Sequence, residues 1–327
     1  MPQESSTDPT AQRSSPEAKF KIRSLLVNEP VTVRDSDGKM VHNLEPGNFL
    51  ITDNGIKQQI THFELGGDAI SLVVAVETSS RVEPILPEIR RSGILLSQTV
   101  MGPNGEEAVL GFNDSVEKLQ NFTSNSEEVD KVISGLRSGT SGSKLYDAMA
   151  LGVEMLSARP EASATGPGRR RVLLVMAESD DIGSATKLGA VLRQAQLQNV
   201  TIYGVGLSST RSEFQRWARQ KRGVDPEWGK NNWIPLAVWA VTHIKDQVSG
   251  SGLQIAAAAT GGSHNSTWKD RSLQTAIDEI GGELHSQYIL TYTPTGSDAA
   301  GYHEIKVELD MSGLKVKSRP GYYLTEP

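Results

Sequence analysis

The stretch Ile70-Ser71-Leu72-Val73-Val74-Ala75-Val76 decides the fold. A continuous apolar run of this length is the mark of a central strand buried on both faces. Downstream the pattern alternates. A helix is expected over 83–98, a strand over 108–112, helices over 126–136 and 144–156, and a strand over 172–176. A helix over 185–198, a strand over 200–205 and helices over 253–259 and 272–284 complete the series. Gly261-Gly262 reads as a helix stop. Strands alternating with helices imply a largely parallel sheet with helices on both faces.

Outside this region the pattern is short and β-like. Val31, Val33 and Met40-Val41 flank Asp35-Ser36-Asp37-Gly38, where the Asp-Gly pair signals a hairpin. Residues 48–52 and 58–63 flank Asp53-Asn54-Gly55 as a second hairpin. Two hairpins alone are marginal in water and need further strands to cover their apolar face. After Leu284 the chain returns to strands at 287–293, 302–309, 314–317 and 322–324. Ile305, Val307 and Leu309 share one face of the second. The expected architecture is therefore an α/β domain with a doubly wound, mostly parallel sheet, inserted in a β-sandwich built from both chain ends. The expected divisions are a disordered leader at 1–19, sandwich residues 20–66, the α/β domain at 67–285 and sandwich residues 286–327.

Composition narrows the function. Of 327 residues, 37% are hydrophobic and 22% charged, as in ordinary globular chains. The net charge of -6 argues against nucleic acid, which needs basic stripes. The dense basic run Arg169-Arg170-Arg171 reads as a solvated loop end. Without cysteine there are no disulfides, thiol nucleophiles or zinc-thiolate sites. No apolar run is long enough for a membrane helix. The leader, rich in Ser, Pro, Glu and Gln, resembles the linker that follows a removed export signal. A secreted or periplasmic location is expected from it, with Met1 then an expression start.

The segment 31–63, the α/β pattern and the pairing of Gln287-Tyr288-Ile289-Leu290-Thr291-Tyr292 with 305–323 together resemble the acidobacterial relatives of von Willebrand factor type A (vWA) proteins. The resemblance implies a Mg2+ or Mn2+ site at the C-terminal edge of the sheet. Such a site takes an Asp-x-Ser-x-Ser loop, a Thr from a second loop and an Asp from a third, and a partner carboxylate completes the shell. Here the first loop reads Glu77-Thr78-Ser79-Ser80-Arg81, so Glu77 replaces Asp and Arg81 replaces the second Ser. Ser143 stands for Thr in Gly142-Ser143-Lys144-Leu145-Tyr146-Asp147-Ala148. Glu178 replaces Asp in Ala177-Glu178-Ser179-Asp180-Asp181.

These changes set three readings side by side. In the first, no metal binds, and Arg81 pairs with Glu77 or Glu178 as a tethered cation. In the second, a weak Mg2+, Mn2+ or Ca2+ is held by Glu77, Ser79, Ser143 and Glu178, with Asp180 or Asp181 added. In the third, Arg81 points into solvent.

A second feature is the Trp-rich insertion at about 208–250, with Trp217, Trp228, Trp233 and Trp239 among Arg, Lys, Asn and Pro. It reads either as a partner-contact surface or as a self-packed cover for the sheet, the commoner use of Trp.

Enzyme signatures are thin. The six histidines lack metal-ligand spacing and read as surface or capping residues. No Gly-x-Ser-x-Gly elbow is present. The run Gly139-Thr140-Ser141-Gly142-Ser143-Lys144 lacks the ending of a phosphate loop. The expected function is non-enzymatic binding of a protein ligand. Self-assembly through sandwich edges as a homo-oligomer is the alternative, and a metal-dependent hydrolase the remote one.

Overall fold

The computed structural model describes residues 26–66, 69–160, 169–178, 181–207, 251–267, 272–296 and 300–324. Its centre is a six-stranded sheet. Strand β5 (Ala69–Glu77) lies between β6 (Glu106–Phe112) and β8 (Arg169–Ala177), parallel to both. Beyond β8 come β9 (Val200–Gly206) and β10 (His264–Ser266), also parallel. Beyond β6 comes β7 (Val116–Thr123), which runs antiparallel. The order is β10-β9-β8-β5-β6-β7. From β5 the chain winds one way to β6 and β7, then returns past β5 to β8 and winds the other way. The gap between β5 and β8 is therefore the topological switch point of the sheet.

Alternate side chains of β5 divide the core. Ile70, Leu72, Val74 and Val76 face one helical layer, while Val73 and Ala75 face the other. The second layer includes helix α4 (Leu145–Ser157). There Gly152 is required, because a Cβ would meet Leu173 Cδ1 at 2.7 Å. The 83–98 segment departs from the single helix expected. It forms α1 (Leu86–Arg90) and α2 (Gly93–Leu95), followed by a π-helical turn at Leu96–Met101.

Strand β7 escapes a sequence reading for a physical reason. Its pairing with β6 slips between Glu107 and Leu110. The slip breaks the period-two alternation that identifies a strand.

The flanks form two four-stranded sheets, ordered β13-β1-β11-β4 and β14-β12-β2-β3. Here β1 is Val27–Arg34, β2 Phe49–Asp53, β3 Ile56–Lys57 and β4 Ile60–Leu65. From the other chain end come β11 (Tyr288–Tyr292), β12 (Gly301–Leu309), β13 (Lys315–Lys317) and β14 (Gly321–Leu324). Both ends thus build one β-sandwich, and Val31, Ile51, Leu290 and Ile305 share its core.

Neither expected hairpin survives whole. Asp35 N donates to Lys39 O and Val41 N to Val33 O around the first turn, but the returning arm makes an isolated bridge, Arg34 to Met40, and no strand of its own. The second keeps its Asn54-Gly55 turn, with φ of 48° and 79°, but pairs only β2 with the two-residue β3. Strand β4 crosses to the other sheet and pairs with β11, because the covering strand comes from the opposite chain end.

Two further expectations are corrected. The basic run is no solvated loop end. Arg171 donates to the carbonyls of Gln198, Ser157 and Arg159, and Arg170 donates to Leu284 O and to Gln287. These arginines satisfy carbonyls left over at the bottom of the sheet. His303 is no surface residue either. It is buried against Asp53, whose second oxygen accepts from Tyr292 and Tyr322.

Candidate functional site

At the C-terminal edge of the sheet three loops meet beside the switch point. The first follows β5, the second precedes α4 and the third follows β8. Backbone hydrogen bonds lock them together. Gly139 N donates to Thr78 O at 2.7 Å, and Ser80 N to Thr140 O at 2.9 Å. Ser143 and Ile182 exchange a reciprocal pair, at 3.2 and 2.7 Å. Gly142 sits so close to Asp114 that a Cβ would collide with it.

The third loop also caps helix α4. Asp181 Oδ1 accepts from Tyr146 N at 3.1 Å, and Ser184 Oγ from Asp147 N at 3.0 Å. These bonds satisfy amides that a helix N-terminus leaves open. In return Asp147 accepts from the amides of Ala185 and Thr186. Asp181 is therefore engaged as a cap. Its neighbours Ser179 and Asp180 lie outside the described residues.

Inside this frame Glu77, Ser79, Arg81 and Glu178 form one cluster. Glu77 ends the central strand with no exposed surface. Its Oε1 accepts from Ser79 Oγ at 2.6 Å and from Arg81 Nη2 at 3.0 Å. Its Oε2 accepts from the backbone N–H of Glu178 at 2.8 Å. Arg81 Nε lies 3.0 Å from Glu178 Oε2. One guanidinium thus bridges carboxylates from two strands across the switch point, and its side chain is only 17% exposed. Ser79 Oγ also accepts the Arg81 N–H at 3.3 Å. Ser143 Oγ is buried with no hydrogen-bond partner among the described residues.

The α/β part has the fold expected of a vWA-like domain. Its doubly wound sheet and its three-loop edge are what the sequence resemblance implies. No family model matches the chain, and no curated protein does. Among solved structures, BatB from Bacteroides thetaiotaomicron is 13% identical, covering 66% of this chain and 97% of its own, with a TM-score of 0.43. An aerotolerance-related membrane protein from Bacteroides fragilis is 14% identical, covering 65% and 99%, at 0.41. The VWA domain of SpRpn10 is 10% identical, covering 64% and 93%, at 0.41. At these identities and scores the likenesses carry no argument about what this chain binds.

The residues at this edge do not fit the divalent cation such domains use. Mg2+ needs near-octahedral oxygens at about 2.0–2.1 Å. Both Glu77 oxygens already accept hydrogen bonds, and the Ser79 hydroxyl is turned toward Glu77. A cation bound to Glu77 Oε1 would sit within about 5 Å of the Arg81 guanidinium. At an effective dielectric of ~20 that repulsion is about 7 kcal/mol for a divalent ion. Among the described residues of the third loop, Glu178 is already paired with the guanidinium and Asp181 is engaged as the cap of α4.

Sequence reasoning found these four residues because they stand at the motif positions. It missed the frame around them: the trans-capping by Asp181 and Ser184 leaves no local signal. Trp217, Trp228, Trp233 and Trp239 lie outside the described residues.

Proposed function

We propose that this chain is a non-enzymatic protein-interaction module that binds its partner at the C-terminal edge of the vWA sheet. One observation carries the reading. Three loops converge at the switch point, and their tips present Ser80, Thr140, Ser141 and Ile182 to solvent above a buried cluster, with Asp114 of the β6–β7 turn exposed beside them. Exposed tips on a fixed base suit recognition, because little ordering remains to be done on binding. Ser79 donates to a buried carboxylate and Asp181 caps a helix, so the constellation favours support over hydrolysis. No described helix is long and apolar enough to cross a membrane.

A second reading is self-assembly. Strands β3 and β4 are sheet edges, and Ile56 and Leu65 on them are each 40% exposed. Open strand edges invite pairing with another chain.

Two measurements test the proposal. Proteins retained by the chain from its native extract should be lost with Ile182→Asp and Ser141→Arg, and kept with Lys306→Glu on the sandwich. Retention that responds only to Lys306→Glu would move the interface to the sandwich. Light scattering over a dilution series should show a monomer, whereas growth with concentration would favour self-assembly.

A further inference from the structure

We infer that Arg81 is the resident cation of this edge, a guanidinium tethered to the chain in the place where related domains hold a divalent metal. It follows that the edge is built and works without metal. This deepens the proposed reading by fixing the chemistry of the binding edge, but its test needs no partner.

Three features support it beyond the mismatch with a metal. First, the guanidinium joins the two positions that the motif assigns to metal-binding acids, Glu77 and Glu178, at 3.0 Å each. A planar fork with several donors can bridge two carboxylates in a fixed geometry, which a point charge such as Lys does less well. Second, both acids are glutamates. The extra methylene lets Glu77 accept from Ser79, Arg81 and the Glu178 amide together. Third, the cluster is buried, and buried carboxylates need a cation or strong donors to stay charged. Arg81 supplies that charge permanently and concentration-independently.

The change has a consequence for recognition. A divalent cation leaves an open coordination position for a partner carboxylate. Among the described residues of the cluster two carboxylates outweigh one guanidinium, so an incoming carboxylate meets net negative charge there. The edge then selects partners by the neutral and acidic loop tips, and not by an acid-to-metal bond.

The test uses the full chain stripped with chelator. Free Mn2+ is followed by electron paramagnetic resonance, and thermal unfolding is recorded in EDTA, Mg2+ and Mn2+. The parent should take up no Mn2+ at this edge and show the same Tm in all three. Arg81→Ser should unfold at lower temperature in EDTA and recover in Mn2+. The combined Glu77→Asp, Arg81→Ser, Glu178→Asp variant should bind Mn2+ at least about tenfold more tightly than the parent, the scale on which metal sites respond to local changes. A parent that binds Mn2+ and loses Tm on chelation overturns the inference. So does a triple variant that binds no better than the parent. If Arg81→Ser does not fold, the parent and the triple variant still decide.

Discussion

Glu77 and Glu107 lie on neighbouring strands at opposite ends of one sheet, and both are fully buried. Their surroundings differ in one respect. Glu77 has the Arg81 guanidinium, two further donors and a second carboxylate across the cation. Glu107 has Ser97, whose hydroxyl donates to Oε2 at 2.9 Å, and no ion pair among the described residues. Burial pushes the Glu107 carboxyl up to about 8, and the Ser97 hydrogen bond offsets this only in part. It is therefore held mainly protonated at neutral pH. The same side chain in the same sheet is a structural ion pair at one end and a neutral acid at the other. What separates them is whether the chain delivers its own cation.

Removing that cation should have the largest effect. Arg81→Met makes Glu77 resemble Glu107 and leaves Glu178 facing it. Breaking a buried pair by removing one partner costs about 3–5 kcal/mol. Urea unfolding should show that loss at pH 7. A loss below about 1 kcal/mol would place Arg81 with ordinary surface pairs.

The second prediction concerns the other end. The folded-state pKa of Glu107 is raised from 4.5 to about 8, so the folded state binds the proton more tightly than the unfolded chain does. Its contribution to stability is complete below about pH 4.5 and is lost as the pH rises through 8. The loss across that window is on the order of 4 kcal/mol. Glu107→Gln should flatten it, read as the difference between parent and variant in unfolding free energy from pH 5 to 8.5. Parallel curves would show that Glu107 is not the titrating group.

The smallest effect sharpens the contrast. Ser143 occupies a motif position, yet its buried hydroxyl has no partner among the described residues. Ser143→Ala should change stability by no more than about 0.5 kcal/mol, because it removes an unsatisfied group and not a bond. It should also leave the metal response of the parent unchanged. A large loss in metal-containing buffer alone would mark Ser143 as a ligand after all.

Much of this molecule is legible in its sequence. The run from Ile70 to Val76 fixes a doubly buried strand, because only an α/β sandwich covers both faces of such a segment. The two β-rich ends, each too small for a core, imply that they pair. The motif positions mark Glu77, Ser79, Ser143 and Glu178, and they expose Arg81 as the residue out of place. Other features were decided only by tertiary structure. The second hairpin splits because a strand from the far end of the chain offers β4 a better partner than its neighbour in sequence. The Arg169–Arg171 run is consumed by carbonyls that become accessible only when strands align at one edge. His303 and Glu107 look like any polar residues in the sequence, since burial is a property of what packs around them. Whether Arg81 reaches solvent or carboxylates depends on a distance across two strands more than ninety residues apart, and local sequence carries no such distance.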